Sequence, residues 1–181
     1  MKQIVTILVV MLLGNTVQAQ FTKASLQASG LTCSMCSKAV KVALEEVTFV
    51  EKVMVDIKSQ QYNLSFKEGA AVDFDALNKA VVDAGFSVAS LKVTANVSDV
   101  TVKKDSHIQI GNHYFHFLNA TGQNLKGSTT FNLVDKGFVS AKEFKKWSSA
   151  SKMACVQTGK TAACFTKENI AEQSRIYHVT I

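Results

Sequence analysis

Between residues 22 and 93 the spacing of apolar residues switches between a period of two and a period of about 3.6, and the order of those switches limits the fold more than any single residue does. Ala24, Leu26 and Ala28 alternate with Lys23, Ser25 and Gln27, as in a half-buried strand. Val40, Ala43, Leu44 and Val47 then mark one face of a helix. Val53, Val55 and Ile57 alternate with Met54, Asp56 and Lys58, and Tyr62, Leu64 and Phe66 share a face. Two strands joined through Ser59-Gln60-Gln61 therefore form a hairpin. Asp73 is placed to cap a second helix that buries Phe74, Leu77, Val81 and Ala84, and Gly85 ends it. Residues 86–93 read as the closing strand. The order βαββαβ predicts an α+β, ferredoxin-like domain with two helices on one face of an antiparallel sheet.

Cys33 and Cys36 lie where the first strand gives way to the first helix. Cysteines so spaced can bind metal, exchange disulfides or form a structural bridge. Metal is favoured here. The thiolate is the ligating form, and a helix N-terminus favours negative charge, so Cys36 in the first turn and Cys33 just before it are suited to ligation. Gly30 gives the loop freedom to fold both sulfurs toward one ion. Structural zinc requires four ligands, and this half offers two cysteines and no histidine. Two thiolates alone select a soft ion. Cu(I) is the expected one, with Hg(II) or another thiophilic ion as the alternative. Met35, between the cysteines, is at most a supplementary soft ligand.

The segment Gly30-Leu31-Thr32-Cys33-Ser34-Met35-Cys36 resembles the metal loop of the heavy-metal-associated domain family, and Asp83-Ala84-Gly85-Phe86 resembles that family's second signature, the glycine–aromatic turn facing the loop. The resemblance spans about residues 22–94. It implies metal binding by Cys33 and Cys36, with Phe86 as a neighbour of the site. It also implies a buried tether at Leu31, where the family usually has methionine; the two swap at little cost. Family members include copper chaperones, the N-terminal domains of copper-transporting ATPases and periplasmic mercuric-ion-binding proteins. A metal-transporting ATPase or another copper protein is thus the expected partner.

Residues 1–19 read as a secretory signal peptide: Lys2, an apolar run over residues 4–13, and small residues at Val17-Gln18-Ala19. The run is shorter than the roughly 20 apolar residues of a membrane span. No later stretch is apolar enough, so no membrane span is expected once the signal is removed. An exported chain follows, periplasmic if the source is a Gram-negative bacterium and secreted otherwise. Residues 20–98 carry eight lysines against eight acidic residues, whereas residues 99–181 carry ten lysines and one arginine against six acidic residues, and all four histidines. That shift suggests two modules; with the resemblance above, they are expected to be a heavy-metal-associated domain at 20–96 and a small β-rich domain at 97–181. A single arginine and an exported chain make nucleic acid a poor partner.

The second half reads as a small mostly-β module, with an OB-like barrel as its candidate form. Residues 107–110 and 114–118 are strands about a Gly111-Asn112 turn, residues 128–134 form another, and residues 175–181 close the sheet. Ser140 and Glu143 form a capping box for a helix over 140–150. A hairpin turning at Gly159-Lys160 sets Gln157 opposite Ala162, Val156 opposite Ala163 and Cys155 opposite Cys164, at a separation suited to a disulfide. The rival reading is a second soft-metal site using Cys155, Cys164 and Met153, with His113 and His116 near. His113 and His116 are three apart, hence on opposite faces of one strand. No nucleophile sits beside a base in a recognisable loop, so a binding protein is expected, not an enzyme. Three functions follow, in order: a Cu(I) carrier or buffer, a mercuric-ion scavenger, and a thiol–disulfide exchange protein.

Overall fold

The computed structural model describes residues 21–161, 164 and 174–181. The signal at 1–19 and the hairpin positions Ala162 and Ala163 lie outside the described residues. Strands β1 (Phe21–Ser29), β2 (Val50–Asp56), β3 (Gln61–Phe66) and β4 (Ser87–Lys103) alternate with helices α1 (Ser34–Glu45) and α2 (Phe74–Asp83) in the predicted βαββαβ order. The later elements are β5 (Ser106–Ile110), β6 (His113–Phe117), β7 (Thr121–Leu133), α3 (Ala141–Ser148), α4 (Cys155–Thr158) and β8 (Ile176–Thr180).

The alternation in β1 is expressed as burial of Ala24, Leu26 and Ala28, and Tyr62, Leu64 and Phe66 are buried on β3. Val40 and Leu44 of α1 meet Phe74, Leu77 and Val81 of α2 over this face. The Asp73 carboxylate accepts from the Asp75 and Ala76 amides, capping α2. One inward assignment needs correction. Ile57 lies beyond the end of β2 in the turn to β3 and is 75% exposed, because the strand stops at Asp56.

The two halves are not separate bodies. The eight described strands form one sheet in the order β2-β3-β1-β4-β7-β8-β6-β5. The boundary set between residues 96 and 97 falls inside the 17-residue β4, which pairs with β7 from Leu91↔Leu133 to Lys103↔Thr121. The sheet keeps two outer strands, β2 and β5, so the described strands form an open sheet in place of the OB-like barrel. The free edge of β4 was the point left undetermined by local patterning: an edge strand presents unpaired backbone groups to a partner, and here β7 pairs it. One core runs through both halves, with Phe74 of α2 packing edge-on against Tyr177 of β8 at 5.2 Å. Arg175 and the Tyr177 hydroxyl both donate to the Asp75 carboxylate at the start of α2.

Candidate metal centre

Gly30 holds φ at +86°, a conformation that turns the chain out of β1 toward α1. Cys33 is then the N-cap of α1, in extended conformation, with its sulfur accepting from the Cys36 amide at 3.4 Å. The sulfurs of Cys33 and Cys36 are 3.0 Å apart, Cys33 exposed and Cys36 half-buried, and both are free thiols. Hydrogen bonds from Cys33, then from the backbone and hydroxyl of Thr32, pull the Cys36 thiol down to about 7. The first turn is anchored from below: the Tyr62 hydroxyl donates to the Ser37 carbonyl at 3.2 Å and lies 3.0 Å from the Ser37 hydroxyl.

The residues expected around this pair fall into two groups. Leu31 and Phe86 are partly buried and packed against the core. Phe86 is placed by the end of α2, where Gly85 at φ +89° allows the Phe86 amide to reach the Val81 carbonyl and the Gly85 amide the Val82 carbonyl. A side chain at Gly30 would touch the Phe86 ring at 3.8 Å, so the two signatures meet in space. Met35 instead is 70% exposed.

Cys155 and Cys164 come together by another route than the predicted hairpin. Cys155 opens the short helix α4, and Gly159 caps that helix in the left-handed region instead of opening a two-residue turn. Both are free thiols, and the bridge at Lys160 is made with Arg175. Around Cys155 stand three histidines. Its sulfur is 3.7 Å from Nδ1 of His116 and 3.9 Å from Nε2 of His107. Donor atoms of His116, Cys155 and His178 lie within 4.8 Å of one another, as do those of His107, Cys155 and Cys164. Burial pushes the Cys155 thiol upward and pushes His116 down to about 4. His113 is not among them: it faces the other side of the sheet and donates from Nε2 to the Val72 carbonyl at 2.6 Å.

The three histidines form one row across three strands. The β5–β6 register sets His107 opposite His116, and the parallel β6–β8 register sets His116 opposite His178. The first pairing was available from the Gly111-Asn112 turn, since counting outward brings His107 to face His116. The second was not, because nothing local announces a parallel pairing between strands some 60 residues apart.

Three comparisons bear on the first half. The profile of the heavy-metal-associated domain matches residues 25–87. The mercuric transport protein periplasmic component of Pseudomonas aeruginosa is 39% identical over 62 residues, covering 34% of this chain and 67% of that one. A probable copper-exporting P-type ATPase of Archaeoglobus fulgidus is 28% identical over 64 residues, 35% of this chain but 8% of the ATPase. Among solved structures, oxidized MerP from Ralstonia metallidurans shares 33% identity over 38% of this chain and 94% of its own, with a TM-score of 0.35. Among the described residues no helix is long and apolar enough to cross a membrane.

Proposed function

The chain belongs to the heavy-metal-associated domain family through residues 25–87, and from that premise we propose that it is an exported protein that binds Cu(I) through Cys33 and Cys36 and carries or buffers it. The observation that carries this reading is the pair of free sulfurs 3.0 Å apart at the N-terminus of α1, one of them exposed. A metal–thiolate bond of about 2.3 Å requires the sulfurs to spread, up to roughly 4.6 Å for a linear pair. The exposed Cys33 can swing outward without disturbing the buried core. Exposure serves delivery as well, since an incoming thiolate from a partner can replace Cys33 and then Cys36 one bond at a time. The partner is a soft-metal protein such as a transporting ATPase. The family's relatives are metal-binding and transport-associated domains, and the reading requires no catalysis.

One observation favours a second reading, mercuric-ion scavenging: the 39% identity to a periplasmic mercuric transport component. Metal analysis of protein purified anaerobically, followed by competition between Cu(I) and Hg(II), separates the two. Cu(I) carriage requires one tightly held Cu(I) that is lost when Cys33 and Cys36 are both changed to Ser. A double variant that keeps full Cu(I) affinity removes these residues as the ligands. Insulin-reductase activity of the pair would move it to thiol–disulfide exchange.

A further inference from the structure

The face of β5, β6 and β8 turned away from the main core carries a row of imidazoles, covered by a small second cluster built from Leu118, Val134, Cys155, Val156 and Ile176. An apolar lid is an expensive place for three histidines and two thiols unless something satisfies them. Two of the histidines are held by carboxylates. His178 donates from Nδ1 to Asp135 Oδ1 at 2.7 Å, and His116 donates from Nε2 to Asp105 Oδ1 at 3.0 Å. Each bond fixes a tautomer and leaves a lone pair on the opposite nitrogen. For His116 that nitrogen is Nδ1, 3.7 Å from the Cys155 sulfur. For His178 it is Nε2, which is fully buried and has no hydrogen-bond partner, on a residue only 1% exposed. Asp135 is itself fixed: it accepts from the His178 amide at 2.7 Å and from Arg175 at 3.2 Å.

From this arrangement we propose a second metal site, formed by Nδ1 of His116, Nε2 of His178 and the Cys155 thiolate, with His107 and Cys164 on its more open side. Carboxylate-to-histidine pairs of this kind orient imidazoles that ligate metal. Ligands about 2.0–2.3 Å from one ion stand roughly 3.5 Å apart in a tetrahedron, and the His116–Cys155 separation already matches that spacing. Mixed imidazole and thiolate donors take a borderline transition ion, Zn(II) or copper, in contrast to the all-sulfur pair at Cys33 and Cys36. Binding releases the Cys155 proton to solvent, since the thiolate is the ligand. A buried, closed set of ligands holds its ion as part of the fold instead of passing it on.

The site is independent of the first, and the test separates them by using the full chain with Cys33 and Cys36 both changed to Ser. Reduced protein of that kind, with unchanged circular dichroism, is titrated with Co(II) as an optical probe and then with Zn(II). One equivalent of Co(II) with a thiolate-to-metal charge-transfer band, displaced by Zn(II), is expected. Histidine ¹⁵N shifts on Zn(II) addition should move at His116 and His178, a readout needing no further mutation. Adding Cys155→Ser should remove the charge-transfer band, and Asp105→Asn should weaken binding about 10- to 100-fold. Folded protein that binds neither Co(II) nor Zn(II), or that binds Co(II) with no thiolate band and unmoved His116 and His178 signals, overturns the proposal.

Discussion

Cys33 and Cys36 lie three residues apart at the N-terminus of α1, one exposed and one half-buried, whereas Cys155 meets His116 and His107 from 39 and 48 residues away beneath an apolar lid. The first pair is organised by one helix terminus and one glycine. The second cluster exists only once β5, β6 and β8 have paired and α4 has closed over them. The difference separates the two uses proposed for the same sulfur chemistry. A ligand pair made by local backbone can open and close without unfolding anything, which suits a cargo. A cluster assembled by long-range register can release its contents only by opening a piece of the fold.

The sharpest way to break this contrast is thiol labelling of reduced, metal-free protein. Cys33 should react with an alkylating reagent at least about 10³-fold faster than Cys155, which is wholly buried and reached only through opening of the lid. Peptide mass spectrometry after timed alkylation measures both in one sample. Comparable rates would mean that the lid is open in solution and that the two regions do not differ as described.

A smaller effect tests which region supports stability. Asp135→Ala leaves the buried His178 imidazole and amide, and the Arg175 guanidinium, without a shared acceptor. It should cost about 3 kcal/mol in urea unfolding. Changing Cys33 and Cys36 together to Ser should stay within about 0.5 kcal/mol, since the loop is exposed and its anchor at Tyr62 is untouched. Equal losses would erase the distinction between a functional loop and a structural cluster.

Gly30→Ala probes the loop from the backbone side. There is room for the methyl, 3.8 Å from the Phe86 ring, but the residue sits at φ +86°. The expected cost is about 1 kcal/mol of stability, from the left-handed conformation alone. A larger loss would show that the glycine–aromatic contact is tighter than its spacing indicates.

What was legible in the sequence follows the same division. The period changes over residues 22–93, the Asp73 cap and the Gly85 stop are all written in neighbours a few residues apart, and the structure has them where they were expected. The strand after Gly85 was read only to residue 93 because β4 is extended by its pairing with β7, a partner distant in sequence. That same pairing turned an apparent second domain into the far half of one sheet. Cys155 and Cys164 were read as a disulfide across a hairpin; here they are free thiols, and the turn proposed for them is replaced by a helical turn ending at Gly159. The histidines were read singly because their neighbours are supplied by strand order, which composition and period do not encode.

The smallest expected effect concerns Leu31, and it sharpens the comparison by asking whether the exposed loop has any hidden third donor. Leu31 is partly buried and packs against the main core, with the loop's sulfurs on the outer side. Leu31→Met conserves volume and replaces a branched end by a flexible thioether, so stability should change by less than about 1 kcal/mol. If the residue only tethers the loop, Cu(I) affinity should stay within about tenfold of the parent, measured by competition with a chromophoric Cu(I) chelator. A gain well beyond tenfold would mean that the introduced sulfur reaches the ion, so that position 31 faces the metal and not the core. The loop would then draw ligands from its apolar side, as proposed for the buried cluster, and the proposed contrast between an open cargo site and a closed structural one would have to be redrawn at that residue.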